Sequence, residues 1–222
     1  VAGAVTAVTS PWIWYLGRAT GVVALVLLSA TVVLGLLNAG RAVSRRWPGF
    51  ALADLHRNLS LLAVAFLAVH VLTMVLDSYV SIGWLAALVP FASPYARFWV
   101  GLGTVGVDLL AAVVVTALLR ARLPARIFRG VHWLAYGAWP LAVAHSLGVG
   151  TDAGTLWLDA VVAVSVAAVV AAGLWRLAAH PRPGRALTAV PRRTKGTPAL
   201  APARAAGRPV SRATVPARGR GR

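Results

Sequence analysis

The sequence predicts an all-α fold: an integral membrane bundle of five transmembrane helices, N-terminus outside, followed by a disordered cytoplasmic tail. Three observations carry that prediction. Of 222 residues, 59% are hydrophobic and only 12% charged, whereas about a quarter of a soluble domain is charged. Five stretches, 12–37, 51–76, 99–119, 131–149 and 155–177, stay apolar over the roughly 20 residues that a helical crossing needs. The basic residues between them alternate between crowded and sparse loops, as the positive-inside rule requires of an odd number of spans.

In chain order, the first stretch opens with Trp12 and Trp14 at its outer boundary. No basic region precedes it and its apolar run is too long for a signal peptide. Arg41, Arg45 and Arg46 then mark an inner loop. The second stretch leads to an outer loop in which 80–91 is apolar but too short to span. With Pro90 and Pro94 ending it, it reads either as an interfacial or re-entrant helix that roofs an outer cofactor, or as a loop resting in headgroups. The third stretch begins with Gly101-Leu-Gly-Thr-Val-Gly106. A dinucleotide fingerprint needs a preceding strand and a following βαβ unit; here the glycines instead allow close helix packing. Arg120, Arg122, Arg126 and Arg129 form the next inner loop, the fourth stretch follows, and 148–154 is an outer loop with no basic residue.

These elements divide the chain into a membrane domain over 11–178 and a tail over 179–222. The net charge of +17 belongs largely to the tail, because half of the 22 basic residues follow Pro181 and all five acids, every one an aspartate, precede it. A stretch of Pro, Gly, Ala and Arg without periodicity buries no core and is expected to be disordered. It suits an anionic inner leaflet, at about 1 kcal/mol per basic residue near the surface. It has no aromatic residue to stack on bases, so nucleic acid is not an expected partner. Absence of cysteine excludes disulfides, thiol catalysis and iron–sulfur ligation by this chain.

Four of the five histidines lie inside apolar stretches: His56 and His70 in the second, His132 and His145 in the fourth. Intramembrane ionisable residues are costly and mark function. The fourteen-residue separation of His56 and His70 is a rise of about 21 Å and falls about 40° short of four turns, so both rings leave one helix face at opposite depths. His132 and His145, thirteen apart, fall about 140° short. Pro140 between them removes the bond to the Tyr136 carbonyl and should kink the helix, and a tighter local segment would recover part of the angle. Both helices run from inside to outside, which pairs His56 with His132 at an inner level and His70 with His145 at an outer one. Such pairs suit axial ligation of two stacked haems. They also suit interhelical hydrogen bonding or a proton relay.

The order Tyr15-Leu-Gly-Arg-Ala-Thr-Gly21, His56-Arg57, His70, His132 and His145 resembles the ferric reductase-like transmembrane domain family over about residues 11–178. That family includes ferric reductases, the membrane core of NADPH oxidases and the haem subunit of a periplasmic methionine sulfoxide reductase system. The resemblance implies two b-type haems on His56, His70, His132 and His145, and electron transfer across a bacterial-type plasma membrane. Many members carry a flavin- and NAD(P)H-binding domain after the last helix, where this chain has its basic tail. The expected partners are therefore membrane lipid, a separate donor (a flavoreductase or quinol, bringing flavin or quinone) and an external redox acceptor. On this reading the chain is a haem-containing membrane subunit of an oxidoreductase.

Arg18, the only basic residue in the outer part of the first helix, either pairs with a haem propionate, as a guanidinium fork can, or snorkels to the interface. Arg57 either does the same inside or marks the cytoplasmic boundary. Asp77 and Asp108, near the outer ends of their helices, either cap or sit at the interface, or serve proton transfer or orient a group behind the ligands; capping or interfacial placement is the simpler reading. The competing class is a non-redox membrane protein that uses its histidines for divalent-metal transport or proton relay; such a protein would add acids at mid-membrane.

Overall fold

The computed structural model describes residues 11–39, 49–77, 82–149 and 152–178. The expected tail, His180 and the first inner loop lie outside the described residues. All the regular structure among the described residues is helical. It comprises α1 (Pro11–Ala39), α2 (Gly49–Leu76), α3 (Gly83–Leu88), α4 (Arg97–Leu118), α5 (Ala125–His132), α6 (Leu134–Val149) and α7 (Leu156–Ala178).

Four of these, α1, α2, α4 and α7, are long and apolar enough to cross a membrane, and the chain is a multi-pass membrane protein. Their serines and threonines are satisfied locally. Ser29 donates to the carbonyl of Leu25, Ser60 to that of His56 and Thr116 to that of Ala112, so hydroxyls enter an apolar environment with their hydrogen bonds made.

The stretch expected to be one span over 131–149 is divided. His132 closes the short helix α5, and α6 starts at Leu134 with only 16 residues, a rise of about 24 Å against a hydrocarbon core of about 30 Å. The interruption lies at Trp133 and not at Pro140, which α6 carries inside its run. The Trp133 amide reaches the carbonyls of both Arg129 and Gly130, and the Tyr136 amide reaches that of Trp133. Two of these bonds span three residues, the tighter 3₁₀ pattern. Each such step turns about 20° further than an α-helical one, so the over-rotation expected around Pro140 begins at Trp133, about two turns upstream of it.

Helix α1 is the hub. It packs along α2, against α7, and more lightly against α6, while α4 packs on α6. The α1/α6/α7 side is filled: Leu25, Leu158 and Val162 form one buried cluster, and Val32, Leu36 and Ala172 another with Trp139 against it. The Trp139 indole donates to Ser29 at 2.9 Å, which ties α6 to α1. On the other side, α1, α2, α4 and α6 surround a cavity.

Within the apolar segment over 80–91, Gly83–Leu88 form α3. Thr104 of α4 donates to the Ala86 carbonyl at 2.8 Å, and Ala86 is 2% exposed. Phe91 then takes a left-handed backbone (φ 62°), a costly conformation for a bulky residue. The Arg97 side chain bonds its carbonyl at 2.6 Å, and its ring covers Gly101, where any Cβ would collide with it.

Candidate functional site

The cavity has a volume of about 330 Å³ and is lined by all four intramembrane histidines. Helix α2 supplies His56 and His70 at its two levels, and the α5–α6 unit supplies His132 and His145. At one level the His56 and His132 ring centroids are 6.2 Å apart with planes at 67°; at the other, His70 and His145 are 6.4 Å apart at 80°. The structure therefore brings together the two pairs expected from helix direction.

Three of these rings are held by their Nδ1 atoms. His70 Nδ1 lies 2.7 Å from the Gly17 carbonyl, His145 Nδ1 2.9 Å from that of Trp99, and His56 Nδ1 3.1 Å from that of Thr31. A carbonyl only accepts, so each Nδ1 carries the hydrogen and each Nε2 presents a lone pair. This is the arrangement that orients metal-binding histidines. The Nδ1 of His132 is buried without a hydrogen-bond partner; its ring stacks on Phe128 at 5.5 Å, with the Arg120 guanidinium 5.1 Å from the far ring.

Glycines on the neighbouring helices make room for the rings. A Cβ at Gly103 would come within 2.5 Å of His145, one at Gly21 within 2.8 Å of His70, and one at Gly35 within 3.4 Å of His56. The first two approaches are closer than any real Cβ contact, so only glycine fits with the rings where they are. Small residues that let helices approach are a general feature of membrane packing; here they admit an imidazole.

At the outer-pair end, Arg18 forms an ion pair with Asp152 and lies 4.2 Å from the centroid of the Trp14 ring. Arg18, Asp152, Trp14, Tyr95 and the buried Asp77 all line that end of the cavity, together with Ile82, Ala86 and Ala87 around α3. The segment expected either to roof a cofactor or to rest in headgroups thus lines this end of the cavity through these three residues, while Trp84, Leu85 and Leu88 stay exposed.

Asp108 is a correction. The helix starts at Arg97, and a rise of 1.5 Å per residue puts Asp108 about 16 Å along it, in the middle of the 22-residue α4 and not at its outer end. Its side chain is exposed and does not line the cavity. The expectation that the aspartates sit at helix ends fails for this one.

Among the described residues, no group of three or more His, Cys, Asp or Glu side chains is placed to share a metal ion. A closed site for a bare divalent ion uses about four protein ligands, more than either histidine pair supplies. Sequence reasoning missed the Gly21, Gly35 and Gly103 seats and the Asp152 partner of Arg18. The signals were there: Arg18 and Asp152 of opposite charge at the same predicted end of their spans, and glycines at the histidine levels of the facing helices.

No curated protein and no solved structure matches the chain. The family described as ferric reductase like transmembrane component matches residues 20–143, a span that includes His56, His70 and His132 and stops two residues short of His145. The chain belongs to the ferric reductase-like transmembrane family, whose members serve electron transfer in membranes.

Proposed function

We propose that this protein carries electrons across a membrane through two b-type haems, the inner of which His56 and His132 would hold and the outer of which His70 and His145 would hold. The observation that carries this reading is the spacing of the two imidazole pairs. A separation of about 6 Å between two imidazole rings would leave room for one metal ion held by a nitrogen of each, at bonds of about 2 Å. The observed separations are 6.2 and 6.4 Å. The donor set fits as well: three of the four imidazoles are oriented through Nδ1 by carbonyls, which leaves their Nε2 atoms free, and all four line an apolar cavity. The absence of a three-ligand cluster among the described residues speaks against transport of a bare divalent ion.

When bound, each haem supplies one-electron chemistry between ferrous and ferric iron. The chain's residues set the conditions for it. The carbonyls of Gly17, Thr31 and Trp99 fix the tautomers, the glycine seats fix the rings, and the apolar walls keep water from the site. Arg18 keeps guanidinium donors beyond those it shares with Asp152, and these suit a haem carboxylate. The α5–α6 unit acts as a fifth crossing with its break at Trp133. The basic loops and the tail over 179–222 face the cytoplasm, and Arg57 marks that boundary. A flavoreductase or quinol on the inner side and a redox acceptor outside complete an oxidoreductase system in the cell membrane.

The test is a reduced-minus-oxidised spectrum of the purified protein with a pyridine haemochromogen assay. The expected result is a b-type α-band and two haems per chain. No α-band sinks the redox reading, and one haem per chain sinks the two-centre version.

A further inference from the structure

Asp108 is the one charged residue near the middle of a described spanning helix that makes no ion pair or hydrogen bond among the described residues. Ionisable side chains in spanning helices almost always face a bundle interior or a water-filled cavity and pair with another group. Asp108 does neither. The cavity is lined from α4 by Gly103, Thr104, Val107 and Leu110, and Gly106 meets α6 at the Ala138 carbonyl. Asp108 instead shares an exposed stripe with Ala111, Val115 and Leu118, spaced three, four and three residues apart and therefore on one helix face. Helix α4 packs mainly on α6, α5 and α3, and all four stripe residues stay exposed among the described residues.

We propose that the Asp108 stripe of α4 docks a membrane-spanning helix of a different polypeptide, one that carries a lysine or arginine near mid-membrane. Charge selects this occupant. A buried carboxylate in hydrocarbon is stabilised by a cation at its own depth. A second copy of this chain offers none: in its described spans the basic residues are Arg18, Arg57, Arg97 and Arg176, all displaced towards helix ends. A two-fold pair with its axis along the membrane normal would also bring two Asp108 carboxylates to the same depth. Ala111, one turn from Asp108, leaves room for close approach of a partner backbone, and Val115 and Leu118 extend the contact.

The test places a photo-crosslinking phenylalanine analogue at Val115 of the full chain in its native cells. The control position is Val170 on α7, which is similarly exposed (50% against 53%). The expected result is one discrete protein adduct from position 115 and none from 170. Mass spectrometry should map it to a spanning segment with Lys or Arg within about one turn of its middle. D108N should reduce the adduct at least ten-fold at equal membrane abundance by immunoblot, D108E should keep it, and D108K should recover it when the partner's cation is changed to Asp. Labelling of lipid only, an adduct between two copies of this chain, an adduct to a segment without a cation, or one indifferent to D108N would each overturn the proposal. If D108N lowers membrane abundance, retention of the adduct by D108E and its recovery in the charge swap decide instead.

Discussion

The two histidine pairs sit in one cavity but are built differently. In the His70–His145 pair, the outer one of the proposal, both Nδ1 atoms reach carbonyls, at 2.7 and 2.9 Å, and both rings press on glycines that tolerate no Cβ. In the inner pair His56 has a longer bond of 3.1 Å and a roomier seat at Gly35, while His132 has a buried Nδ1 without a partner and a stacked Phe128. The outer rings are positioned by long helices packed on each other, α1 on α2 and α4 on α6. One inner ring belongs to α5, an eight-residue helix with no buried residue. The outer site is thus specified by helix packing alone, and the inner one depends on a loop-borne element. Rigid elements position cofactor ligands more narrowly than short connecting ones, so the outer pair should resist small perturbations less well but hold one geometry.

If the proposed ligation is right, substitutions should separate the two sites in graded order. The largest effect belongs to His70→Ala: it should remove the outer haem and keep the inner, halving the haemochromogen yield per chain. Gly103→Val comes next, since it drives a side chain into the His145 ring. Overpacking costs about 1–3 kcal/mol, or about one to two decades in outer-site occupancy, read as loss of one of two components in a redox titration. Phe128→Ala should act on the inner component only. It removes a ring stack of about 1 kcal/mol, so the inner midpoint should shift while the outer stays in place. The smallest effect is expected from Gly35→Ala, whose Cβ meets His56 at 3.4 Å; both components should remain within about two-fold of wild-type occupancy. Equal loss of both components in Gly103→Val, or a loss in Gly35→Ala as large as that in Gly103→Val, would erase the distinction between the sites.

Much of this was legible from residue spacing. His56 and His70 lie on an ideal helix, so their common face followed from position alone, and the direction of the spans paired them with His132 and His145. The break in the fourth stretch was harder to read. A proline's missing hydrogen bond is a local property, visible at Pro140, but where a helix yields depends on what packs against it. Here it yields at Trp133, where the exposed α5 meets α6 under the inner histidine. Asp108 was misplaced for a plainer reason: counting from the start of the helix puts it at mid-depth, and only the packing shows which way it faces. The Arg18–Asp152 pair joins residues 134 positions apart in sequence, a contact that spacing within one helix does not reveal.

Haem stoichiometry of the purified full chain, measured with and without His70→Ala, tests the central claim most directly. Two b-type haems per chain in the wild type and one in the variant is the predicted result. A single haem in the wild type, or two retained after His70→Ala, would contradict the assignment of one haem to each histidine pair.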